Sequence, residues 1–181
     1  MNRVLILPTL SLIAGLLHAD TKLPVAGETF PDFKLEDTEG TPNSLKDFSG
    51  RITIIAVTAK DKDGSRESRA KRFKEVASWA EAIRQKGLPE IRFIGLAGLK
   101  VVSFMKETAR ANIRRDQPVH YLLDFNRSFH ESLCDAVAPR LFVLDEAGRI
   151  RAVITSVHSP ETEALVVQAV ESAVKHKAMV R

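Results

Sequence analysis

Ile52-Thr53-Ile54-Ile55-Ala56-Val57 is the stretch on which the fold turns. Five of its six residues are β-branched, and only Thr53 is polar. A strand with one wet face alternates apolar and polar residues. A continuous apolar run instead suits a strand covered on both faces, as in the middle of a parallel sheet. A polar loop from Lys60 to Ser65 follows. Phe73, Val76, Ala77, Ala80 and Ile83 then recur at helical spacing and predict an amphipathic helix of about 20 residues. Gly87 stops that helix, and Pro89 lies just beyond it.

The pattern continues in both directions. Ile91 to Ala97 reads as a second buried strand. Val101 to Ile113 reads as a second helix with Val102, Met105, Ala109 and Ile113 on its buried face. Val119 to Leu123 is a short extra strand, and Ser128 to Leu133 a short helix leading to Pro139. Leu141 to Leu144 and Arg149 to Thr155 form a hairpin around the turn Asp145-Glu146-Ala147-Gly148. Ser159, Pro160 and Glu161 supply the N-cap, first position and acidic first turn of a last helix. Its stripe is Leu165, Val166, Ala169, Val170 and Ala173, with Lys175, His176 and Lys177 at the end where the dipole favours cations. Residues 20–50 read as an extended opening segment with turns. Strand alternating with helix, and a closing antiparallel hairpin, predict an α/β domain: a central mixed β-sheet with helices on both faces.

The first nineteen residues differ from the rest. One cation, Arg3, precedes an apolar run from Val4 to Leu17, and Leu17-His18-Ala19 resembles a small-residue cleavage site. Residues 1–19 are therefore expected to be a signal peptide and residues 20–181 a single exported domain. The run is short for a membrane span, which needs roughly 20 apolar residues. No stable membrane insertion is expected after cleavage. Cleavage removes Arg3 and no acid, leaving 26 Lys and Arg against 23 Asp and Glu. That excess is too mild for a nucleic-acid partner. Cys134 is the only cysteine, so no disulfide can form within the chain.

Three pieces of the sequence carry a resemblance. Gly27-Glu28-Thr29-Phe30-Pro31-Asp32-Phe33-Lys34-Leu35-Glu36-Asp37 precedes Gly40, Ser44-Leu45 and Phe48-Ser49-Gly50. The strand at Ile52 feeds a long helix. Ala138-Pro139-Arg140-Leu141-Phe142-Val143-Leu144-Asp145 precedes Gly148. In this order they resemble the thioredoxin-like superfamily, nearest its redoxin branch of peroxiredoxins and exported thiol reductases. The resemblance covers roughly residues 24–175. It implies a thioredoxin-like fold and a cis peptide before Pro139. It also implies a site where the cis-proline loop meets the start of the long helix. At the positions of the branch's Cys-x-x-Cys motif this chain has Lys62-Asp63-Gly64-Ser65, and the Pro-x-x-x-Thr-x-x-Cys motif of peroxiredoxins is absent. A thiolate at that helix N-terminus is the nucleophile of both chemistries, so neither activity carries over.

The remaining candidates are sparse. Cys134 fits a small buried hydrophobe; its functional alternative is one-cysteine thiol or peroxide chemistry. His120, His130 and Cys134 match no common zinc spacing, and Asp61-Lys62-Asp63-Gly64-Ser65 fails as a calcium loop because its first and twelfth positions are alanines. No metal and no cofactor is expected. His158 and His176 read as exposed. Arg66, Arg69, Lys71, Arg72 and Lys74 read as a solvated helix face partly neutralised by Glu67 and Glu75. The competing reading is an anion site at the helix N-terminus. The expected binding surface is Lys62, Asp63, Gly64, Ser65, Arg66, Pro139 and Arg140, open to a protein partner in the exported compartment or to a small anion. The leading functional reading is a non-catalytic binding or scaffold module; the alternative is a redoxin-type enzyme using Cys134.

Overall fold

The computed structural model describes residues 23–60, 65–88, 91–116, 119–134 and 138–180. The strands are β1 (Leu35–Asp37), β2 (Pro42–Asn43), β3 (Thr53–Val57), β4 (Arg92–Gly98), β5 (Tyr121–Asp124), β6 (Arg140–Leu144) and β7 (Ile150–Thr155). The helices are α1 (Arg66–Gln85), α2 (Lys106–Asp116), α3 (Ser128–Leu133) and α4 (Pro160–Val180). The sheet has seven strands in the order β2-β1-β5-β4-β3-β6-β7. The apolar run at residue 52 is central, pairing parallel with β4 and antiparallel with β6. The last hairpin is antiparallel, as expected, with an irregularity between Val143 and Leu144.

Period-two alternation divides the core cleanly. Ile54, Ala56, Leu141 and Val143 face one side, where Phe73, Val76, Trp79 and Ile83 of α1 and Val166, Val170 and Ala173 of α4 cover them. Ile55, Val57, Phe142 and Leu144 face the other side, under Leu133, Cys134 and the opening segment. There Phe30 packs edge-on against Phe33, Phe129 and Phe142. Aromatic contacts of this kind add about 0.5–1.5 kcal/mol each beyond area burial. At Gly95, directly opposite Tyr121, a Cβ would lie 2.2 Å from the tyrosine ring, so the ring occupies the space a side chain would need.

Three expectations are corrected. The opening segment contains two short strands, β1 and β2, where only extended chain and turns were expected. β1 is stitched to β5 and closed by a turn in which Asp37 Oδ1 accepts from the Glu39 and Thr41 amides. Their five residues are too few to show a period. The helix expected from Val101 begins only at Lys106, after a 3-10 turn over Ser103–Met105. Val102 and Met105 are exposed, and only Ile113 of the expected face reaches the core. In α4, Leu165 is exposed while Val166, Val170 and Ala173 are buried.

Candidate functional site

The expected surface begins where β3 hands the chain to α1. Ser65 is the N-cap of α1, and its hydroxyl accepts from the Ser68 amide at 3.0 Å. Beside it lies a groove of about 330 Å³ lined by Ala59, Lys60, Ser65, Lys71, Glu75, Pro139 and Val157, among others. Ser65 and Pro139, 74 positions apart in sequence, line one groove. Lys62, Asp63 and Gly64 lie outside the described residues. Arg66 is exposed at the first turn but does not line the groove.

Two features of the expected surface are corrected. The described residues contain no cis peptide bond, so Ala138–Pro139 is trans. Trans is the default by about 0.5–1 kcal/mol for such a bond. Arg140 is not an exposed cation facing Ser65. It is 9% exposed, donating from Nη1 to the Leu133 carbonyl and from Nε to Thr155 Oγ1, its partner across the hairpin. One step along a strand reverses the face. Pro139 lines the α1 groove, whereas Arg140 shares the face of Phe142 and Leu144, opposite α1.

Cys134 is fully buried on that same opposite face, at the C-cap of α3. Its Sγ lies 4.0 Å from the Ala138 carbonyl oxygen. The one thiol of the chain is thus at the wrong end of a helix, behind the sheet from the α1 N-terminus.

The other flank of α1 is differently built. Behind it His130 is 1% exposed. Its Nε2 lies 2.8 Å from the Thr58 carbonyl and 3.0 Å from the Thr58 hydroxyl, which places the ring proton on Nε2, donating to the carbonyl. Its amide donates to Asp124 Oδ2 at 2.9 Å, while Asp124 Oδ1 accepts from the Asn126 and Arg127 amides. Burial holds the His130 imidazole below its usual range. The Thr58 carbonyl opposes that shift, whereas nearby Arg72 and Arg127 reinforce it. The ring packs on Gly98, where a Cβ would fall 2.6 Å from His130 Cγ. In front of Gly98 opens a cavity of about 380 Å³ lined by Arg69, Arg72, Lys100, Asn112 and Arg127 with apolar neighbours. No carboxylate is among the described lining residues. Arg72 reaches both flanks, and its Nη1 donates to the Ala59 carbonyl at 3.0 Å.

The sequence flagged Arg69 and Arg72 as part of a solvated helix face but missed Lys100, Asn112 and Arg127. Nothing in a linear pattern connects these segments. His158, expected to be exposed, is half-buried edge-on against Trp79. Among the described residues no group of three or more His, Cys, Asp or Glu side chains is placed to hold a metal.

The redoxin family model matches residues 25–170. The chain belongs to the redoxin family. Solved structures support the thioredoxin-like fold of this redoxin at low sequence identity. It superposes on the peroxidoxin BcpB of Mycobacterium tuberculosis with a TM-score of 0.52 and 17% identity, covering 83% of this chain and 97% of that one. A yeast mitochondrial 1-Cys peroxiredoxin gives 0.56 and 19%, covering 85% of this chain and 79% of that one. A proposed thiol:disulfide interchange protein of the DsbE type from Chlorobium tepidum gives 0.54 and 14%, covering 84% and 99%. No curated protein matches the chain in sequence.

Proposed function

We propose that this redoxin is an exported, non-catalytic binding module that keeps the fold's substrate-facing groove and has lost its thiol chemistry. The observation that carries this reading is the position of Cys134. It is sealed from solvent at 0% exposure, across the sheet from the groove beside Ser65 and Pro139. A catalytic thiolate has to be reachable and placed in an electropositive setting, as at a helix N-terminus. Here the helix N-terminus has a serine cap and the thiol has no access.

The groove retains what an extended protein segment needs: an apolar wall at Ala59, Pro139 and Val157, with Lys60, Lys71 and Glu75 at its edge. Export rests on the apolar run from Val4 to Leu17, outside the described residues. No helix among the described residues is long and apolar enough to cross a membrane.

Insulin disulfide reduction and peroxide turnover, measured for the wild type and for Cys134→Ser, test the loss of chemistry. Neither protein is expected to show activity, and native protein is expected to react with a thiol reagent only as fast as it unfolds. Turnover by the wild type that disappears in Cys134→Ser would establish the one-cysteine enzyme instead.

A further inference from the structure

We propose that the turn at residues 102–105 is a docking element for an anionic lipid surface, with Phe104 as the side chain that enters the lipid. The element is separate from the groove beside Pro139 and does not depend on how that groove is used.

Four consecutive residues face solvent here: Val102, Ser103, Phe104 and Met105. Three of them are large and apolar, and Phe104, at 85% exposure, is the most exposed large hydrophobic residue among those described. Single exposed apolar side chains are ordinary on a folded surface, but a run of them at one spot marks an interaction site. The chain leaves β4 at Gly98, makes a 3-10 turn over Ser103–Met105 and enters α2 at Lys106. The Met105 amide donates to the Val102 carbonyl at 2.9 Å, which closes the turn through the backbone. Both sides of its base are held. Val101 packs against the core, and the Lys106 ammonium lies 4.9 Å from the centre of the Phe125 ring. The turn is thus a projection with an anchored base and an apolar tip.

Area separates a lipid surface from a second protein chain as the occupant. With about 200 Å² for a whole aromatic side chain, the three apolar residues together present roughly 350 Å². A stable protein interface needs about 800 Å² on each partner. A lipid surface sets no such threshold, because lipid closes around a projection of any shape and charge supplies the remaining affinity.

The charge here has the required sign. Lys100 and Lys106 bracket the turn, and no acidic residue lies between them in the sequence. Neither lysine forms an ion pair among the described residues. Glu107, the nearest acid along the chain, is paired with Arg110. The formal charge of the whole chain is +4, so its background field also favours an anionic surface. Seating one turn is reversible and leaves the domain outside the bilayer, in keeping with the lack of a spanning helix among the described residues.

The test is co-sedimentation of the purified protein with vesicles of phosphatidylcholine alone and of phosphatidylcholine mixed with phosphatidylglycerol. Binding to the anionic vesicles is expected to be about tenfold tighter or more, and to weaken as salt rises. Phe104→Ala is expected to bind them roughly tenfold more weakly, the effect of withdrawing a phenyl ring from lipid. Lys100→Gln is expected to lose about fivefold, the share of one cation near a charged membrane. Leu165→Ala, which trims an exposed apolar side chain on α4, is expected to leave binding unchanged. In Phe104→Trp the new indole is expected to shift its emission to the blue when anionic vesicles are added, whereas the native Trp79 is already buried. Sedimentation velocity without lipid tests for a second copy on the same face. Four results would each overturn the proposal: no preference for anionic over neutral vesicles, wild-type binding by Phe104→Ala, equal weakening in Leu165→Ala, or lipid-free self-association that Phe104→Ala abolishes.

Discussion

The two flanks of α1 share a helix, a length of sequence and one arginine, yet differ in electrostatics. On the Pro139 side, Glu67 and Glu75 stand among Lys60, Lys71 and Arg72, so the groove largely neutralises itself. On the Gly98 side, Arg69 and Arg72 meet Lys100 and Arg127 with no acid in the described lining. The difference arises from what each flank faces. The groove flank meets Pro139 and Val157, which bring no charge. The cavity flank meets strand ends that contribute two more cations. One helix can thus border a mixed-charge groove and a cavity whose charged side chains, among the described lining residues, are all cations.

The largest expected effect tests the support of the cationic flank. His130→Ala removes the donor to the buried Thr58 carbonyl and leaves a void, and it is expected to cost about 3 kcal/mol in urea unfolding. A cost under about 1 kcal/mol would show that His130 does not brace this flank. Next comes Gly98→Ala, whose Cβ would meet the His130 ring at 2.6 Å. The expected loss is about 1–3 kcal/mol, as for overpacking elsewhere. Combining it with His130→Ala is expected to recover part of that loss, because the obstructing ring is gone.

A pH experiment separates the flanks without altering the backbone. His130 is held below its usual pKa, first by burial, so the unfolded chain takes up a proton before the folded one does. Its contribution is therefore fully present above about pH 6.5 and is lost as pH falls from there toward the folded-state value. The urea midpoint is expected to drop between about pH 7.5 and about pH 5.5, with a shallower drop in His130→Gln. An identical drop in both proteins would place the titration elsewhere.

On the groove flank, Ser65→Ala removes the N-cap of α1 and is expected to cost about 1 kcal/mol. The smallest effects sharpen the charge contrast itself. Lys100→Gln relieves repulsion in the cavity and is expected to stabilise by a few tenths of a kcal/mol at low salt, vanishing at high salt. Lys71→Gln, beside Glu75 in the groove, is expected to be neutral or slightly destabilising under the same conditions. Equal responses would erase the distinction between the flanks.

Much of this redoxin was legible in its sequence because local patterns dictate local structure. The run at residue 52 marked the central strand. The spacing of Phe73, Val76, Ala80 and Ile83 marked α1, Ser128 to Leu133 marked α3, and the reading of Cys134 as a small hydrophobe marked its burial. The lack of a second cysteine removes the dithiol reaction on composition alone. Failures came where local rules lose force. β1 and β2 are too short to display a period, and Val102 and Met105 had helical spacing without a neighbour to bury them.

The order of strands and helices from β3 onward, the family and the missing cysteine pair are written in neighbouring residues, so the linear chain specifies them without help. The face that each strand end presents is settled only by folding. Folding buried Arg140 against Leu133 and Thr155 and left Pro139 beside Ser65. It also drew Lys100 and Arg127 to Arg69 and Arg72. The reason is geometric: strand parity and parallel pairing bring distant strand ends together. Charges carried there meet in space without any trace of their meeting in the linear chain.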